Sequence, residues 1–152
     1  METEKTLNLL GTIRCVELIQ HTYHLEVMGD YSDHLLLGEI YDSLDELYDS
    51  LAERFVCLYG KSSIDKIGVL EYMNMIMQAA SKRIEEKKCS DEMECSLEVQ
   101  SLLLDVYKEY YSLLEENWSK EVIGLANLLQ DHIDLIETQI YKLSARCCKL
   151  KD

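Results

Sequence analysis

The 152-residue chain contains no proline and only six glycines. Proline breaks a helix interior and glycine weakens it, so the sequence lacks the usual punctuation of loop-rich and β-rich chains. Basic residues are also scarce: 15 Lys and Arg face 29 Asp and Glu, a formal charge of −14. Unaided binding to nucleic acid draws on clustered Lys and Arg to displace counterions, and Arg146, Lys149 and Lys151 are too few for a basic arm. Nucleic acid is therefore not an expected partner. There is no apolar run of about 18 residues, which argues against a helical membrane span. Met1-Glu2-Thr3-Glu4-Lys5 has neither the basic nor the apolar segment of a secretory signal, so a cytoplasmic location is expected. None of the six cysteines forms a C-x-x-C pair; they read as reduced thiols, with Cys15 and Cys57 as small core residues inside helical patterns. Gly-rich phosphate loops, hydrolase-like Ser/His/Cys patterns and internal repeats are missing as well.

What is present favours an all-α fold in a single domain over residues 1–152, large enough for one sizeable core. A first helix is expected from about Glu4 to Met28, with Leu9, Ile13, Val16, Tyr23 and Val27 along one face. Gly29 to Asp33 supply a turn, with Ser32 or Asp33 as N-cap of a second helix from His34 to about Tyr59, which Gly60 stops. Ser62 or Ser63 would cap a third segment from Ile64 to about Lys88, in which Met73, Met75 and Met77 read as gap-filling core side chains. After the polar linker Cys89 to Cys95, a fourth helix runs from Ser96 to Glu116, and a fifth, capped by Ser119, from Lys120 to about Arg146. Two long hairpins joined by a helical crossover, residues 61–95, match a ferritin-like four-helix bundle. In that arrangement one long connection makes the second and third main helices parallel.

The chemistry-bearing stretch lies at the first hairpin. At roughly 100° per residue, Leu37, Ile40, Leu44, Leu47, Leu51, Phe55 and Leu58 share one narrow sector of the second helix, its core face. His34, Asp45, Asp49 and Glu53 fall in a different sector and cannot point into the chain's own core. Asp49 and Glu53, four apart, lie one turn from each other and can converge on one ion; the competing reading is a solvated acidic face. No Glu-x-x-His pair exists, which disfavours a di-iron site inside the bundle.

The pattern His24-x-x-x-x-Gly29, a short loop, His34, then Asp49-x-x-Ala52-Glu53-Arg54 resembles the Dps family, the miniferritins that oxidise and store iron. Leu125 to Leu143 is similar to that family's last helix. The resemblance spans roughly residues 13–144, with its specific part in His24 to Arg54. It implies self-association into a twelve-subunit shell and a ferroxidase centre for non-haem iron built across a two-fold interface. His24 and His34 would supply the nitrogen ligands, and Asp49 and Glu53 of a neighbouring subunit the carboxylates. The oxidant would be peroxide or oxygen.

This chain departs from the family pattern at named positions. The span from His24 to His34 is about two residues short, Leu25 stands where a tryptophan is usual, and Gly38 stands where an acidic residue is usual, with Asp42 or Asp45 as substitutes. His21 is either an extra ligand or an exposed or interface histidine, His132 a structural or surface residue, and Tyr41 and Tyr48 either electron acceptors or packing residues. The competing function is a ferritin-fold subunit without catalytic activity that acts through helical interfaces.

Overall fold

A computed structural model describes residues 2–152, all of whose regular structure is helical. The main helices are α1 (Glu2–Glu26), α2 (Tyr31–Tyr59), α3 (Lys66–Lys87), α4 (Glu92–Glu116) and α5 (Ile123–Arg146). Short 3-10 turns at Lys61–Ile64 and Lys120–Val122 lead into α3 and α5. Among the described residues, no helix is long and apolar enough to cross a membrane.

Aspartates set three of the helix starts. The Asp30 carboxylate accepts from the Ser32 amide, Asp65 from Gly68 and Asp91 from Glu94, each satisfying an amide that the first helical turn leaves without a carbonyl. These caps move the boundaries expected from sequence. Neither Ser32 nor Asp33 caps α2, which begins at Tyr31; neither Ser62 nor Ser63 caps α3; and α4 begins at Glu92, so Cys95 is helical and not part of a linker. At the end of α4, Ser119 does occupy the expected position before the next turn, although its hydroxyl makes no capping bond.

Helix directions follow from side chains that meet. Gln20 late in α1 donates to the Ser96 carbonyl early in α4, so these helices are antiparallel. Gln100 meets Gln139 and Tyr107 meets His132, which sets α4 against α5 the same way. Asp33 meets Arg146 and Ser43 meets Gln139, pairing α2 with α5. Helices α2 and α4 are both antiparallel to α5 and therefore parallel to each other, and α1, α2, α4 and α5 pack as a helical bundle with the crossover helix α3 alongside α1. Close approach of α3 depends on Gly11: a Cβ there would lie 2.6 Å from Tyr72 Cβ and 3.0 Å from the Val69 carbonyl oxygen.

The core face of α2 is the expected one, with Leu37, Ile40, Leu44, Leu47, Leu51 and Phe55 buried and Leu58 half-buried beside them. Helix α1 differs from expectation. It contacts α2, α3 and α4, and it buries Thr6, Thr12, Cys15 and Gln20 as well as Leu7, Leu9, Leu10, Ile13, Val16 and Ile19. A helix covered on three sides has no single apolar stripe. Cys57, expected in the core, is exposed on α2, and Met75 is 60% exposed while Met73 and Met77 pack against the core.

Every buried side-chain polar atom among the described residues has a hydrogen-bond partner. Much of that satisfaction comes from two polar layers through the bundle. In the first, Ser96 and Gln20 exchange bonds, Gln20 donates to Gln100, Gln100 to Gln139, and Gln139 to the Ser43 hydroxyl. Seven residues along α2, α4 and α5 lies the second, where Ser50, Tyr107 and His132 meet. Seven residues is close to two helical turns, so the layers face the same interior.

Candidate metal centre

The α1–α2 hairpin brings two of the four expected ligands together. The rings of His24 and His34 stack with centroids 3.8 Å apart and planes inclined by 26°. His24 Nδ1 donates to the His34 carbonyl at 2.8 Å, and His34 Nδ1 donates to the His24 carbonyl at 3.0 Å. A carbonyl oxygen only accepts, so both Nδ1 atoms carry hydrogen and, in neutral rings, both Nε2 atoms keep a lone pair. The His24 carbonyl belongs to the last turn of α1, where no helical amide follows to satisfy it; His34 supplies that donor.

Gly38 makes room for this arrangement. A Cβ at that position would stand 3.1 Å from His24 Cε1 and 3.2 Å from His24 Nδ1. The residue that departs from the family pattern is therefore the one over which the first histidine lies. His21 is drawn in through Tyr41, whose ring it stacks on at 4.4 Å, while Tyr41 also stands 5.0 Å from His24. Leu18, Leu25, Met28, Tyr31 and Leu35 are all more than half exposed and belong to the same two helices and their connection. This is an apolar rim around two half-buried imidazoles.

The carboxylates lie elsewhere. Asp49 and Glu53 are exposed, one turn apart on the side of α2 away from the core. Fifteen residues separate His34 from Asp49, a rise of roughly 22 Å along the axis. Within a single chain the two histidines and the two carboxylates therefore do not meet. Consistent with this, no three His, Cys, Asp or Glu side chains among the described residues converge on a metal position. Asp45, a candidate substitute for the missing acid, is engaged by Arg14 at 2.8 Å, and the same guanidinium lies 3.6 Å above the Tyr48 ring. Asp42 is exposed and remains on the α2 face with Asp49 and Glu53.

Among the described residues, the interior groups no second set of His, Cys, Asp or Glu side chains that could hold a metal. The layer of Gln20, Ser43, Ser96, Gln100 and Gln139 consists of neutral amides and hydroxyls already bonded to one another. His132 is the structural histidine of the two alternatives, 6% exposed and bonded at both ring nitrogens. Ser50 donates to the Glu46 carbonyl, so His132 Nε2–H donates to Ser50 Oγ and Nδ1 accepts from the Tyr107 hydroxyl. Burial pushes its pKa down to about 4, which keeps the ring neutral.

Two of the cysteines are held as thiols. Cys95 is pushed up to about 11 by burial and by neighbouring Cys89, and burial alone raises Cys15 to about 11. Both are thiols, not thiolates, near neutrality.

Sequence reasoning overlooked the pair at the mouth of the hairpin, Asp33 with Arg146. Arg146 Nε and Nη2 reach the two carboxylate oxygens at 2.6 and 2.7 Å, tying the start of α2 to the end of α5. An arginine in the last turn of the final helix was the only sequence signal for it.

No protein-family model matches the chain, and no curated protein or solved structure matches it either.

Proposed function

We propose that the protein is a cytoplasmic, Dps-like miniferritin subunit that binds ferrous iron at sites completed between two copies and oxidises it with peroxide or oxygen. The observation that carries this reading is the reciprocal His24–His34 lock, which fixes both rings with Nε2 as the remaining donor atom. A metal-bound histidine commonly gives its other N–H to a carbonyl in this way. The donor set of two neutral imidazoles and two carboxylates suits non-haem iron. Each ferrous ion would give up one electron to the oxidant, and the acidic chain would attract the cation and its hydrated neighbours.

An isologous pairing explains why the half-sites are separate. If two α2 helices cross antiparallel with His34 opposite the partner's Asp49, each position i faces position 83 − i, and the two-fold axis passes between Tyr41 and Asp42. Gly38 then faces Asp45, and the exposed Tyr31–Leu35 end of one helix faces the Asp49–Glu53 end of the other. Helical direction, the four-helix core and the crossover through α3 agree with a ferritin-like bundle.

The test uses two inactive chains. His24→Ala/His34→Ala and Asp49→Ala/Glu53→Ala variants, each helical and each silent in a ferric-absorbance assay with Fe(II), are co-assembled. A mixed dimer has one complete centre and one empty one, so activity should return. Verified mixed dimers that stay silent would sink the two-chain site. Wild-type protein that assembles but never oxidises iron would favour the catalytically silent structural subunit instead, a reading supported by the glycine at position 38.

A further inference from the structure

The bundle end opposite the histidines holds a half-open cavity of about 270 Å³, among whose lining residues are Lys5, Leu58, Leu113, Asn117, Ser119 and Val122. Lys5 is half-buried, lines a smaller neighbouring recess as well, and makes no ion pair with any described residue. Its side chain lies beside leucine and valine side chains, and no described carboxylate pairs with its ammonium group. Ser119 adds a hydroxyl not used for capping, whereas the Asn117 amide is already given to the Leu113 carbonyl. Thus the lining has an apolar wall, a positive group at Lys5 and a negative one at the exposed Glu121.

We propose that this cavity binds a medium-chain carboxylate, its head at Lys5 and Ser119 and its chain against Leu58, Leu113 and Val122. A space of about 270 Å³ is many times what a single water needs, so a chain of octanoate's length is a suitable probe of it. Because Glu121 also lines the cavity, a doubly charged head such as a phosphate monoester is repelled about twice as strongly as a single carboxylate in the same place. The site lies roughly 28 Å from the histidine lock, taking the rise from Lys5 to His24 along α1, and does not depend on the iron reading.

The chain's single tryptophan reports on it. Trp118 stands between lining residues Asn117 and Ser119 and is 53% exposed, so filling the cavity should shift its emission. The assembled protein is titrated with octanoate, octan-1-ol and octyl phosphate, with calorimetry alongside. Octanoate should bind saturably, Lys5→Met should weaken it about tenfold, and Lys5→Arg should hold it near wild type. Octan-1-ol should bind wild type and Lys5→Met alike. Absence of saturable octanoate binding by both methods would overturn the proposal. Equal octanoate affinity in wild type and Lys5→Met, or tighter binding of octyl phosphate, would overturn the assigned ligand class.

Discussion

His24 and His34 each donate through Nδ1 to the other's backbone carbonyl, at 2.8 and 3.0 Å. Ten residues apart across a tight hairpin, they close the turn and define their own tautomers in the same contacts. On the proposed metal-binding role, the same contacts that close the hairpin would also hold the ligands, so the two roles separate only where a substitution disturbs the rings without opening the hairpin.

Gly38→Ala is such a substitution. The new methyl would press on His24 Cε1 and Nδ1, from 3.1 and 3.2 Å, forcing the ring to move by a few tenths of an ångström. Helix propensity favours alanine by up to about 1 kcal/mol, which offsets the local strain. The melting temperature should therefore change little. Affinity for Co(II), a redox-inert probe of the assembled protein, should fall about 10- to 100-fold, as when an outer support of a metal ligand is lost. Unchanged Co(II) affinity would mean that the ring orientation seen here does not serve a metal.

How much of this could be read from the residues differs by element. On α2 the apolar spacing named the buried set from Leu37 to Phe55 and put Asp49 and Glu53 outside it, because only one side of α2 is covered. The same reading failed on α1, whose three packed neighbours also bury Thr6, Thr12 and Gln20. No local period encodes that coverage. Choosing among several adjacent cap candidates failed for a similar reason: Asp30, Asp65 and Asp91 win through the geometry of one bond each. Gln100, Gln139 and Ser43 give no local signal of burial, because the partners that satisfy them sit on other helices.

The pair closing the hairpin end should respond asymmetrically. Asp33 has a side chain only 5% exposed, whereas Arg146 is 43% exposed. Arg146→Ala strands a buried carboxylate and should cost about 2–3 kcal/mol. Asp33→Asn leaves an arginine that water can reach, and the loss should be nearer 1 kcal/mol. Chemical denaturation of both variants at pH 7 measures the difference; equal losses would show that the carboxylate is not held dry.

Polar layers in a core are costly to break and cheap to replace. Gln139→Leu removes the acceptor for Gln100 and the donor to Ser43, leaving buried groups unpaired, so it should destabilise by about 1–3 kcal/mol. Converting Gln20, Ser43, Ser96, Gln100 and Gln139 together to apolar residues of matched volume should cost less than the single change, or even stabilise. The expected penalty is loss of a unique helix register, visible as broadened methyl resonances. A quintuple variant less stable than Gln139→Leu would show that the network contributes more than its parts.

His132 gives the bundle a defined acid sensitivity. Its ordinary pKa of 6.5 falls to about 4 in the fold because burial disfavours the charged ring, with Asp131 only partly opposing this. Protonation at Nδ1 would also replace the acceptor of the Tyr107 hydroxyl by a donor. Above pH 6.5 the ring is neutral in both folded and unfolded chains, and its contribution is fully present. Between pH 6.5 and about 4 the unfolded chain takes up a proton that the folded chain refuses, so stability falls as pH falls. Below about 4 both states are protonated and the loss levels off at about 3 kcal/mol. His132→Gln can still accept from Tyr107 and donate to Ser50, yet it does not titrate. The unfolding free energy of wild type minus that of His132→Gln should therefore drop by about that amount from pH 7 to pH 4, with the carboxylate contributions common to both proteins cancelling. A difference that stays flat across this interval would mean that His132 is reached by water in the native bundle and that the Tyr107–His132–Ser50 layer is not sealed.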